Sequence, residues 1–221
     1  MTVPAGPVRD HATGPRFFIG LMSGTSADGI DAALVRFDET DGAPHGALQL
    51  GRTYPWEPVL RERLVAVGQG ARIDSLDEVG TLDVRIAEAL ADAATRLLAE
   101  AGLATSAITA IGSHGQTVRH RPDGAAFDGR HPFTLQLGDG DHLAMATGII
   151  TLSDFRQKHI AAGGEGAPLA VYGDYLLFSS PDENRIMLNI GGIANFTWLP
   201  QTRDAQAVFS SDIGPGNTLM D

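Results

Sequence analysis

Apolar and polar residues alternate in blocks along this chain, and the period of each block predicts a strand or a helix. Residues 17–21 are apolar, Ser23, Gly24, Thr25, Ser26, Asp28 and Gly29 are small or polar, and apolar residues resume at Ile30. That pattern predicts strand, tight turn, strand, because Gly and Asp supply the positive-φ chemistry a hairpin needs. Residues 48–54 predict a third strand, reached through a turn at 41–45. Residues 58–67 predict a short helix, with Pro58 near its start, where a missing N–H does no harm. Ser75 followed by Glu78 reads as a capping box. Beyond it Val79, Leu82, Ile86, Leu90, Ala93 and Leu97 recur every three or four residues, so a longer helix buries one face and stops at Gly102.

The middle of the chain reads as shorter elements. Residues 108–112 predict a buried strand that runs into Ser113, His114, Gly115, Gln116 and Thr117, a polar cluster where α/β folds place ligands. Residues 119–122, Asp123-Gly124 and Asp128-Gly129 predict a surface loop. A strand at 133–137, a brief helix at 142–146 and a strand at 149–152 follow, the last bringing Ser153, Asp154, Phe155 and Arg156 to the same edge. Gly163, Gly164 and Gly166 lie before Pro168 and a helix at 169–178. Their backbone donors at a helix start favour an anion, or the glycines merely avoid clashes in a tight connection. Residues 186–190, Gly191-Gly192 and residues 193–199 repeat the plan of strand, glycine turn, strand, an internal echo of the opening hairpin. Residues 208–212 add a third strand, followed by residues 213–217.

Composition narrows the classes. The chain has 221 residues, enough for one large domain or two small ones, and 16 basic against 27 acidic residues give a net charge of −11. That balance argues against a nucleic-acid or anionic-membrane surface, which needs a basic face. Cysteine is absent, so disulfides and thiolate zinc sites are excluded. No apolar run reaches spanning length. Residues 1–16 lack the apolar stretch of a signal peptide and read as a loose tail, so a soluble cytoplasmic protein is expected.

The chemistry concentrates at the first hairpin. Backbone N–H groups and two hydroxyls crowd its tip, with carboxylates at Asp28 and Asp31. Such a tip can cradle phosphate oxygens while a carboxylate holds Mg²⁺ through water. The same letters also suit a plain solvated turn.

Five blocks together carry a resemblance: GLMSGTSADGID at 20–31, GSHGQTVRHRP at 112–122, AAGGEGAPL at 161–169, LNIGGIAN at 188–195 and DIGPGNTLMD at 212–221. In this order they resemble anhydro-N-acetylmuramic acid kinase, of the sugar kinase, Hsc70 and actin superfamily. The resemblance implies an α/β, ribonuclease H-like, two-lobed fold. It assigns residues 17–182 to a first lobe and 183–221 to the opening strands of a second, truncated one. It implies hydrolysis of the 1,6-anhydro bond of 1,6-anhydro-N-acetylmuramic acid, with transfer of the γ-phosphoryl of ATP to O6. The products are N-acetylmuramic acid 6-phosphate and ADP, in peptidoglycan recycling.

The resemblance also implies ATP and Mg²⁺ as cofactors and a homodimer for the full-length parent. ATP binding falls to Gly24, Thr25, Ser26, Ala27, Asp28, Gly29, Ile30 and Asp31, with Gly191 and Gly192 as the second phosphate-facing turn. Asp28 would hold the metal through water and act in catalysis. Gln116, Arg119 and Gly164 fall on the sugar side. Two departures stand out. After Asp154-Phe155-Arg156 and two intervening residues the family carries an Asp proposed as the base for the water, and here that position is His159. An imidazole can take a proton near neutral pH, yet it lacks the negative charge that would stabilise a developing sugar cation. The second departure is the ending at the fifth block, past which the family continues, and from it the chain alone is expected to be inactive and poorly soluble. A non-catalytic sugar- or nucleotide-binding relative, an inactive fragment of such a kinase, and an interaction protein of the actin and Hsc70 kind are the other readings.

Overall fold

The computed structural model describes residues 15–40, 43–124, 131–202 and 204–216. Most of the expected tail, the Asp41-Gly42 part of the turn, the Asp128-Gly129 part of the loop and the end of the fifth block lie outside the described residues.

Strands β1 (Arg16–Ser23), β2 (Ile30–Thr40) and β3 (Ala43–Tyr54) form an antiparallel meander. After helices α1 (Pro58–Gly68) and α2 (Leu76–Ala101), β4 (Ile108–Arg121) returns parallel to β1. Its far edge is shared end to end: β6 (Thr151–Leu152) pairs with it in parallel near Ile111, and β5 (Phe133–Leu137) pairs antiparallel from Gln116 to Arg121. The order β3-β2-β1-β4, with β2 reversed and β6 parallel beyond β4, is that of a ribonuclease H-like sheet. The chain is therefore an α/β protein of that fold.

Helix α2 covers one face of the sheet. Ile86, Leu90, Ala93 and Leu97 of the predicted stripe are buried with Ile19, Leu34 and Ile111, whereas Val79 at its start is half-buried. Each leucine or isoleucine among them contributes roughly 1.5–3 kcal/mol on burial. The Ser75 hydroxyl accepts from Glu78 N–H at 3.1 Å, while the Glu78 carboxylate takes the N–H of Asp74 rather than that of Ser75 itself. Gly102 closes the helix in the left-handed conformation, with φ 66°. Ser75→Ala is expected to lower stability by about 1 kcal/mol in urea titration, the usual worth of a side-chain cap.

A second sheet of three antiparallel strands follows α5 (Ala170–Phe178): β7 (Arg185–Ile190), β8 (Ile193–Leu199) and β9 (Phe209–Pro215). Helix α5 packs on β8 and reaches β3, and Thr197 donates its hydroxyl to Asp174 at 2.7 Å. Ile186, Leu188 and Ile190, alternate residues of β7, are exposed.

Two expectations change. Residues 119–121 are strand rather than surface loop, because Arg119, His120 and Arg121 pair with Leu135, Thr134 and Phe133. Pro168 stands ahead of α5 rather than at its first turn, so the glycine segment is a loop of its own between α5 and α4 (Phe155–Ala161), a helix that the sequence pattern did not announce.

Candidate active site

The tip of the β1–β2 hairpin is held from three directions. Ala27 N–H donates to the Gly24 carbonyl at 3.1 Å. The same carbonyl accepts from Gln116 Nε2 at 3.0 Å, and Arg61 Nε donates to the Ala27 carbonyl at 3.0 Å. Ala27 is fully buried at φ 46°, a left-handed conformation that a non-glycine residue keeps only where its surroundings enforce it. Gly29 is required by space: a β-carbon there would lie 2.5 Å from Thr53 Cγ2 and 3.2 Å from the Tyr54 carbonyl.

These contacts sort the residues of the loop. Thr25 and Asp28 are exposed, and Gly24 and Ser26 are half-buried. Ala27, Gly29 and Ile30 are buried, and Ile30 belongs to the core, so none of the three presents a side chain to a ligand. The Asp31 carboxylate accepts the Thr53 hydroxyl at 2.6 Å. Asp28 makes no hydrogen bond to any described residue through its carboxylate, which leaves it able to hold a hydrated cation. Gln116 is 2 % exposed, and its Oε1 has no partner among the described residues. A buried acceptor with no partner among the described residues, next to this turn, fits a polar ligand at the tip. Arg119 is exposed on β4.

A second cluster joins β4 to α4. His114 is buried, its Nδ1–H donates to the Gly115 carbonyl at 2.9 Å, and its Nε2 accepts from Arg156 Nε at 2.8 Å. The neutral ring with its proton on Nδ1 satisfies both bonds. Burial, and then the neighbouring guanidinium, push the His114 pKa below the ordinary imidazole value, while the Gly115 bond opposes them. Arg156 also donates to the Gly166 carbonyl at 2.7 Å, and burial lowers its pKa as well.

His159, in the last turn of α4, accepts Gly166 N–H on Nδ1 at 3.0 Å. Its ring occupies the space beside Gly164 that a side chain would fill: a β-carbon at 164 would fall on Nε2. The structure thus brings His159 and Gly164 together. The spacing of the glycines carried no sign of the His114–Arg156 contact, because the partners lie 42 residues apart.

Between β4, β6 and the start of α3 (Gly140–Thr147) lies a polar cavity of about 250 Å³ lined by Ser113, Gln136, Asp139 and Asp154 among others. The hydroxyl of Ser113, which is fully buried, and Oε1 of Gln136 have no partner among the described residues. No group of three or more His, Cys, Asp or Glu among the described residues is arranged to hold a metal ion directly.

The depressed value of His114 has a consequence for stability. Below about pH 6.5 the unfolded chain takes up a proton that the folded one refuses until the pH reaches the lower folded value. Stability is therefore expected to fall as pH drops through that window, with a slope of up to about 1.4 kcal/mol per pH unit. Urea titrations of the chain and of His114→Asn across this range test it: the gap between them should narrow on acidification.

In the second sheet, Gly191 and Gly192 form the β7–β8 turn. Gly216 N–H donates to the Gly192 carbonyl at 2.8 Å, and a β-carbon at Gly216 would collide with the Gly191 carbonyl.

Fold and site together define an α/β protein whose ribonuclease H-like sheet presents a tightly braced polar hairpin. A family model described as anhydro-N-acetylmuramic acid kinase matches residues 16–221. The chain belongs to the anhydro-N-acetylmuramic acid kinase family. A relative of that name from Xanthomonas campestris is 51% identical over 219 residues, which are 98% of this chain and 54% of the relative. One from Pseudoalteromonas atlantica is 50% identical over 209 residues, covering 93% and 51%, and one from Xylella fastidiosa is 46% identical, covering 97% and 55%. The chain spans about half the length of the curated relatives it matches. Among solved structures, YeaZ from Pseudomonas aeruginosa aligns with 91% of this chain and 68% of its own at 14% identity and a TM-score of 0.25. The fold assignment rests on strand order alone. The family is one of kinases, as its relatives are named.

Proposed function

We propose that this chain serves an ATP-dependent kinase that opens the 1,6-anhydro bond of 1,6-anhydro-N-acetylmuramic acid and phosphorylates O6. The products are N-acetylmuramic acid 6-phosphate and ADP, formed during peptidoglycan recycling. The observation that carries this reading is the hairpin tip, braced by Gln116 and Arg61 while the carboxylate of Asp28 bonds to none of the described residues.

In this reading Gly24, Thr25 and Ser26 face the phosphates with backbone and hydroxyl donors, and Asp28 holds Mg²⁺ through water. The buried Ala27, Gly29 and Ile30 set the shape of the turn, and Asp31 ties it to β3 through Thr53. Mg²⁺, when bound, offsets phosphate charge during in-line transfer. Gln116, Arg119 and Gly164 lie toward the sugar, and the orphan acceptors of the polar cavity suit its hydroxyl groups. His159 stands where the family carries its carboxylate. The β7–β8–β9 meander has the plan of β1–β2–β3 and opens a second lobe, with the Gly191-Gly192 turn opposite the first hairpin. The partners are ATP and the anhydro sugar in the cytoplasm, and two full-length copies pair.

His159 favours a second reading, a relative that binds nucleotide and sugar without turnover. Both are tested by joining this chain to the part of the Xanthomonas campestris relative that it does not span. ADP release that requires the anhydro sugar, with a product of N-acetylmuramic acid 6-phosphate by mass spectrometry, supports the kinase. Calorimetric binding of both ligands with no ADP release, and release restored by His159→Asp, supports the binder. Binding of neither ligand overturns both.

A further inference from the structure

We infer that His159 acts in this chain as a positioning residue for the glycine loop, which it holds through Nδ1, rather than as the acceptor of the water's proton. The inference takes from the proposed kinase only the position of interest; the chemistry of the ring stands apart from it. A neutral imidazole has one lone pair in its plane, on whichever nitrogen lacks the proton. In His159 that lone pair points to Gly166 N–H, 3.0 Å away, so the proton sits on Nε2 and the ring offers a donor there. No lone pair is left to receive a proton from water while this bond persists.

The loop is gripped at both polar groups of the same residue. Gly166 gives its N–H to His159 and its carbonyl receives Arg156 Nη1 at 2.7 Å, the two side chains coming from one helix. Arg156 is in turn anchored on β4 by His114 at 2.8 Å. Gly166 turns the chain there with φ 71°, and a β-carbon on it would lie 2.9 Å from Ile160 Cγ1. Gly164 leaves room for the ring that does the holding, and its own N–H donates to the His159 carbonyl at 2.9 Å. The two histidines of the cluster carry opposite tautomers, His114 protonated on Nδ1 and His159 on Nε2, each set by the backbone group it meets.

The test reads the ring and the loop directly, with no need for turnover. In the uniformly ¹⁵N-labelled chain at alkaline pH, two-bond ¹H–¹⁵N correlations of the histidine rings, assigned with His159→Asn, should show His159 with a bare Nδ1 and a protonated Nε2. Amide exchange at Gly166 should be about tenfold faster in His159→Ala, the loss expected for one backbone bond. It should stay within about threefold of the parent in His159→Asn, whose side-chain oxygen replaces Nδ1 as acceptor. Gly164→Ala, which displaces the ring without removing it, should match His159→Ala. A proton on Nδ1, or Gly166 exchange unchanged in His159→Ala, overturns the inference. Failure of the kinase reading would leave every one of these readouts as stated.

Discussion

Asp28→Asn is expected to lower sugar-dependent ADP formation by the joined protein on the order of 10²–10³-fold, the usual cost of deleting one group that stabilises transferring charge. Asp28 is exposed at the hairpin tip, and its carboxylate bonds to no described residue, so the change should leave the melting temperature where it was. A second arm sharpens the result. Asp31→Asn keeps an acceptor for the Thr53 hydroxyl, now at 2.6 Å from the carboxylate, and should cost far less activity. A coupled assay at saturating ATP with varied Mg²⁺ separates the two, because weakened metal handling by Asp28→Asn should raise the Mg²⁺ concentration needed. Turnover unchanged in Asp28→Asn would remove the hairpin from the phosphate site.

Gly115→Ala carries the largest structural effect. The residue lies in β4 with φ 69°, and an added β-carbon would fall 2.6 Å from the Leu137 carbonyl, a backbone atom that cannot swing aside. Left-handed strain and overpacking together should cost about 2–4 kcal/mol. Gly102→Ala is the control, since it has φ 66° but nothing within 4 Å of the new atom; it should cost only about 1 kcal/mol. Equal midpoints for the two variants in urea would show that the close approach at Leu137 is not limiting. The neighbours of Gly115 widen the consequence. His114 anchors Arg156 and Gln116 holds Gly24, so a displaced residue 115 should loosen the hairpin tip and the glycine loop at once.

Much of the architecture was legible because its signals are local. The Ser75 cap, the apolar stripe from Val79 to Leu97 and the stop at Gly102 each lie within a few residues of what they govern, and the helix runs from Leu76 to Ala101. The two glycine hairpins were legible for the same reason, since turn residues and flanking strands adjoin in the chain. The strand β4 was underestimated. Its end, from Arg119 to Arg121, reads as surface loop, and pairing with β5 makes it extended. Helix α4 has seven residues and too short an apolar pattern to declare itself.

The candidate site divides along the same line. Residue type and spacing alone pointed to the hairpin tip, because small residues and carboxylates side by side are properties of the letters. They could not say that Ala27 and Ile30 face inward, that Gln116 reaches Gly24, or that the lone pair of His159 is already engaged. Those facts join residues 92 apart for Gln116 and Gly24, and depend on rotamer and direction for His159. Helices, hairpins and family membership were thus determined by the sequence itself, through short-range pattern and the order of its motifs. Which polar atoms are free to act was decided only when the chain folded, because a hydrogen bond between distant segments consumes a donor and an acceptor that no linear reading can see being spent.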